Sequence, residues 1–202
     1  MGAITRAFAN NVTSSLGTGD FVHIKTLTAG GVSSLDFING TNDVVLDSTY
    51  NVYKIVGHRV DFGATQGLAC RFRVSGSFVT ASSYETQSAS LRGNNSAYDI
   101  SGGSLGNAYI RMGWQRYTGT TAGFSSNFES TFYNLPSTSK DKHMITVMVG
   151  NGNTTNDAVW QISSGTLDTD AAKDNAVDGL RIACADFSTN ISGSFALYGL
   201  KE

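Results

Sequence analysis

The sequence is short of charge and of cysteine, and each shortage argues against a class of protein; its single proline suits many turns between short strands. Asp, Glu, Lys and Arg make up 15% of its 202 residues, against roughly 25% in an average soluble domain. Its 14 basic residues are scattered through a chain of net charge −2, which argues against the concentrated basic surface a nucleic-acid partner requires. No apolar run approaches the roughly 18 residues of a membrane-spanning segment, so no membrane insertion is expected. The opening residues lack the basic flank and apolar stretch of a secretory signal, so synthesis and folding in a cytoplasm are expected.

Cysteine and histidine are too few, and too far apart, to point to a metal. Cys70 and Cys184 lie inside apolar strand patterns and read as buried free thiols, small hydrophobes in effect. A disulfide between them stays open, since spacing does not say whether their strands are neighbours. His23, His58 and His143 show no ligand spacing and read as strand-surface or edge residues. Asp168, Asp170 and Asp174 form the densest acidic patch. Counted from Asp168, however, a calcium loop would need an oxygen donor and then a glycine where Ala172 and Lys173 stand, so a solvated loop or helix start is the reading. There is no G-x-S-x-G, phosphate-binding loop or dinucleotide fingerprint. The expectation is therefore no cofactor, no catalytic residue and no enzymatic activity.

What the chain does have is Ser, Thr, Asn and 23 glycines, punctuating short runs with a period of two. Phe21–Thr28 and Ser33–Ile38 flank Gly30–Gly31, a hairpin signal. Asn51–Phe62 reads as a strand with a bend or bulge at Gly57. In Gly67–Val74, Leu68, Cys70, Phe72 and Val74 alternate with Ala69, Arg71 and Arg73. Ser77–Arg92 reads as a serine-rich hairpin arm and Gly93–Gly106 as a loop. Ala108–Tyr117, Asn127–Leu135, His143–Gly150 and Ala158–Ser163 read as further strands, and Thr166–Asn175 as one helical turn. At the C-terminus, Val177–Ala185 and Ser192–Lys201 form a terminal pair. Phe195 and Leu197 face one way in the second of these, with Ala196, Tyr198 and Leu200 facing the other, as in a strand interior to a sheet. Ten to twelve strands and no sustained helical period predict an all-β fold, a jelly-roll-like two-sheet β-sandwich over residues 20–202.

Residues 1–19 read as a separate attachment arm. Ile4, Ala7 and Phe8 make a short apolar stripe at helical spacing, too short to be stable alone, and Gly17 and Gly19 offer a joint to the sandwich. Among the aromatics, Tyr84, Trp114, Tyr117 and Trp160 would stack on sugar rings if exposed. Trp114 and Trp160 sit inside strand patterns and are expected in the core.

Four segments and the opening MGAITRAFAN carry a resemblance. Tyr50–Gly57, Leu68–Arg73, Val177–Ile182 and Gly193–Leu200 resemble the core strands of β-sandwich proteins built into the virions of tailed bacteriophages, especially phages of aquatic bacteria. The resemblance implies a non-enzymatic structural protein on the virion, either a capsid decoration or a tail or fibre component. It implies virion localisation, other virion proteins as partners and a homo-oligomer, with a trimer among the options. The alternative is a carbohydrate- or receptor-binding module of a phage adhesion device that meets a host-surface glycan.

Overall fold

The computed structural model describes residues 20–62, 67–92, 98–113, 125–151, 158–167 and 174–200. The expected helical arm, with Ile4, Ala7 and Phe8, lies outside them, as do Trp114, Tyr117, Asp168 and Asp170. Among the described residues there are thirteen strands and no helix. In chain order they are β1 (Phe21–Val32), β2 (Ser34–Ile38), β3 (Val52–Phe62), β4 (Leu68–Val74), β5 (Ser77–Phe78), β6 (Tyr84–Arg92) and β7 (Tyr98–Asn107). There follow β8 (Ile110–Gly113), β9 (Ser126–Tyr133), β10 (Lys142–Asn151), β11 (Ala158–Leu167), β12 (Val177–Cys184) and β13 (Ile191–Leu200).

The strands form two antiparallel sheets facing each other as a sandwich. The large sheet has the order β1-β13-β3-β9-β10-β11-β6-β7, and the small one β2-β12-β4-β5 with β8 also on β4. Alternation sets the inner faces. Leu68, Cys70 and Phe72 of β4 and Leu180, Ile182 and Cys184 of β12 point inward, against Tyr53 and Ile55 of β3, Phe128 and Phe132 of β9 and Phe195 and Leu197 of β13. Phe72 carries the contact between sheets: its ring lies 6.2 Å from that of Phe132 and 5.9 Å from that of Tyr84, both near edge-to-face. The Tyr84 hydroxyl accepts from the Phe72 amide at 2.9 Å and donates to the Val79 carbonyl at 3.2 Å. A fully buried ring of this size contributes about 1.5–3 kcal/mol, and the satisfied hydroxyl lets a tyrosine do so without a desolvation penalty.

The inner face of the large sheet is polar in part. Ser90, Ser126, Ser130, Thr146, Gln161 and Ser163 are buried on β6, β9, β10 and β11, and the Ser130 and Thr146 hydroxyls bond each other at 2.7 Å. Lys142 is also fully buried; its Nζ donates to the Lys140 carbonyl at 3.0 Å, and burial lowers its pKa.

Several sequence expectations are corrected here. Phe21–Thr28 and Ser33–Ile38 are strands but not a hairpin. Gly31, at φ +79°, turns the chain across the sandwich, so β1 pairs β13 in one sheet and β2 pairs β12 in the other. The C-terminal runs are likewise split: β12 lies between β2 and β4, and β13 between β1 and β3. Both are interior strands, but they belong to opposite sheets. Gly93–Gly106 is not all loop, because Tyr98–Asn107 pairs with β6. Thr166 belongs to β11 rather than to a helical turn. The bend expected at Gly57 is present as a register shift between Gly57 and Val60.

Candidate functional site

The outer face of the small sheet gathers the charged side chains that its strands turn away from the core. Pairing register aligns them in rungs. Asp36, Arg181 and Arg71 occupy one rung across β2, β12 and β4. Ser34, Ala183, Ala69 and Arg111 form the next, and Ile38, Gly179, Arg73 and Phe78 the one on the other side. Half of the chain's eight arginines stand on this one face.

Each arginine is fixed differently. Arg181 donates through Nε and Nη2 to the two oxygens of Asp36 at 2.8 and 2.7 Å, a bidentate pair that raises its pKa, and it lies 4.0 Å over the Phe78 ring. Arg73 meets Asp178 at 3.2 Å. Its stem crosses Gly179, where a Cβ would stand 3.1 Å from Arg73 Cβ and Cδ. The same Asp178 oxygen accepts from the Gly76 amide at 3.1 Å, tying down the tight Ser75–Gly76 turn, where both residues have positive φ. Arg111 reaches the Tyr109 hydroxyl at 3.4 Å.

Arg71 differs from Arg73 and Arg181. Its Nε donates to the Ala108 carbonyl at 2.9 Å and its guanidinium lies 3.4 Å from the Phe187 ring centre, but no carboxylate among the described residues pairs with it. Burial, and Arg181 beside it, lower its pKa. Phe187 holds its place at φ 54°, in the left-handed region that a bulky residue rarely adopts. The preceding Asp186 fixes that loop by accepting from the amides of Ser188 and Thr189 and from the Thr189 hydroxyl. Burial works against the Asp186 charge, yet these bonds bring its pKa down to about 2.

The outer face of the large sheet carries a different feature. Val149, Trp160 and Leu91 lie on one rung across β10, β11 and β6, with Val147, Ile162 and Ala89 on the next. Val147 is 40%, Val149 47%, Leu91 44% and Trp160 39% exposed. Trp160 is therefore not in the core as expected: its position in β11 has the parity of the outer face. Tyr84, proposed as a sugar-stacking residue if exposed, is fully buried. Cys70 and Cys184 are buried free thiols on neighbouring strands, each opposite an aliphatic residue rather than the other cysteine. His23, His58 and His143 are all exposed on strands.

No protein-family profile and no curated protein matches the chain. Among solved structures it is similar to a xylan β-1,4-xylosidase from Bacillus halodurans, at 9% identity and TM-score 0.31, over 84% of this chain and 32% of that one. It is also similar to an alginate lyase from Aplysia kurodai, at 10% identity and TM-score 0.24, over 83% and 82% of the two chains. A structure of infectious bursal disease virus gives 11% identity and TM-score 0.11, over 91% of this chain and 40% of that one. The chain spans about a third of the xylosidase chain. Likenesses at this level carry no functional argument.

Proposed function

We propose that the chain is a non-enzymatic structural protein displayed on a tailed-phage virion, its jelly-roll-like sandwich facing outward and residues 1–19 holding it to the particle. The observation that carries this reading is the direction of the chemistry. The ion pairs and arginine stacks lie on the outer faces, spread over rungs and fixed by partners, while aromatic and aliphatic packing fills much of the space between the sheets. Side chains arranged in rungs along the strands of a sheet suit contact with another surface better than turnover of a small substrate. The apolar rungs through Val147, Val149 and Trp160 suit a subunit contact in a homo-oligomer.

The test is electron microscopy of purified particles, with the protein labelled. Regular sites on the head or tail are the expected outcome; recovery only in the soluble fraction of the lysate would sink the reading. Removing residues 1–16, including Ile4, Ala7 and Phe8, should abolish incorporation while the sandwich still melts cooperatively. A glycan- or receptor-binding module is the second reading, favoured by the exposed Trp160 and by the arginine face.

A further inference from the structure

We propose that the outer face of the small sheet binds an acidic polysaccharide, with the Arg71 guanidinium as the anchor for its acidic groups. The inference deepens the reading of the chain as a displayed, non-enzymatic protein and rests on it in one respect: the face must be open to solvent on the particle.

The argument turns on how the guanidinium donors are used. Arg181 spends two of its nitrogens on both oxygens of Asp36, and Arg73 is matched by Asp178. Arg71 spends only Nε, on a neutral carbonyl. Its two terminal nitrogens remain for an acceptor, in the planar fork that suits a carboxylate or a sulfate. The fork is held in place before any ligand arrives, because Phe187 supports one side of the guanidinium and Ala108 fixes its Nε. The left-handed φ of Phe187 is the local strain that positions this support, and the Asp186 hydrogen bonds secure it.

The layout favours a polymer over a single small anion. Arg181 lies beside Arg71 on the neighbouring strand, about 5 Å away. Arg73 is two residues further along β4, about 7 Å away, and Arg111 is on the next rung. A single small anion engages one fork, whereas a linear chain with repeated acidic groups follows the row. Tyr109 and Phe187, 5.7 Å apart and both half-buried, offer apolar ring surface beside the charges for the C–H faces of sugars. Arg71 thus adds to this face a guanidinium that no carboxylate among the described residues pairs with, on a chain whose net charge is −2.

The test is affinity electrophoresis of the full chain through gels containing polygalacturonate, dextran sulfate or uncharged dextran. Retardation by polygalacturonate but not by dextran is expected. The apparent affinity should fall about tenfold for Arg71→Gln, the loss expected for a hydrogen bond between charged groups. Phe187→Leu should weaken binding in the same direction. Lys25→Gln, on the large sheet, should change nothing. Arg71→Lys keeps the charge without the fork and should bind more weakly than wild type; it also serves if Arg71→Gln does not fold, which thermal melting would reveal. Tighter binding to dextran sulfate with the same dependence on Arg71 supports the proposal and makes the acidic group a sulfate. Equal mobility in all three gels overturns it, as does equal loss with Lys25→Gln, or a change in oligomeric state on Arg71→Gln without any retardation. A protein found on the particle that ignores both acidic polymers loses this inference and keeps the virion assignment. One that binds them but is missing from the particle does the reverse.

Discussion

Gly57 of β3 and Phe128 of β9 share one rung of the large sheet, and the phenylalanine ring fills the space that a side chain on Gly57 would need. The ring also packs on Phe195, with ring centres 6.0 Å apart, so it has nowhere to retreat. Gly57→Ala should therefore destabilise the fold by about 1–3 kcal/mol, the usual penalty for overpacking a filled core. Alanine at Gly30, where nothing lies within 4 Å of an added Cβ, should cost far less. Urea denaturation of the two variants makes the comparison, and equal effects would contradict it.

Stability should fall on the alkaline side. Burial pushes the Cys184 thiol from 9.0 to about 12 and the Tyr53 phenol from 10.0 to about 12, and raises Cys70 and Tyr84 as well. These acids keep their protons to higher pH in the folded chain than in the unfolded one. Their contribution is complete below about pH 9 and is lost as the pH climbs toward 12, at about 1.4 kcal/mol per pH unit for each group within its window. Equilibrium urea unfolding at about pH 8 and about pH 10.5 should show the decline, and Cys184→Ala should make it shallower. A flat profile would show that these groups are solvated.

The bidentate Asp36–Arg181 pair joins β2 to β12, with side chains 25% and 29% exposed. A double-mutant cycle should give about 1 kcal/mol of coupling, between the values for exposed pairs and for buried ones. Asp36→Asn should cost more than Arg181→Gln, because it leaves the guanidiniums of Arg181 and Arg71 side by side with less neutralising charge. The reverse order in chemical denaturation would mean that the two guanidiniums do not sense each other.

Deleting Gly193–Glu202 removes most of β13, on which both β1 and β3 depend for pairing. The truncated chain should be insoluble or should bind a hydrophobic dye without a cooperative melt. A sharp melting transition would show that the large sheet closes without that strand.

Strand positions were legible in the sequence wherever one face is packed and the other wet. β4 follows the alternation read for it at Cys70, Arg71, Phe72 and Arg73, with Ala69 buried as well, and the runs read as strands at Asn127–Leu135 and His143–Gly150 fall on β9 and β10. Partners were not legible, since a turn signal marks where the chain bends but not which sheet receives it. Gly30–Gly31 therefore looked like a hairpin while the chain was crossing the sandwich. β7 was hidden because Ser, Gly and Asn dominate it and supply no apolar period. At the arginine face, Arg71 and Arg73 could be placed on one side of their strand from spacing alone. Their meeting with Arg181, Arg111 and Phe187 is set by strand order, for which no local pattern exists.

β1 and β13 run antiparallel with Phe21 opposite Leu200, so the described sandwich begins and ends at a single corner. The two ends therefore do not straddle the fold mechanically. Tension applied at one end passes into whatever holds that corner and leaves the sheets unloaded. Tension applied between the two ends peels β1 from β13 one rung at a time rather than shearing all rungs at once. A sandwich held only at this corner would swing as a pendant.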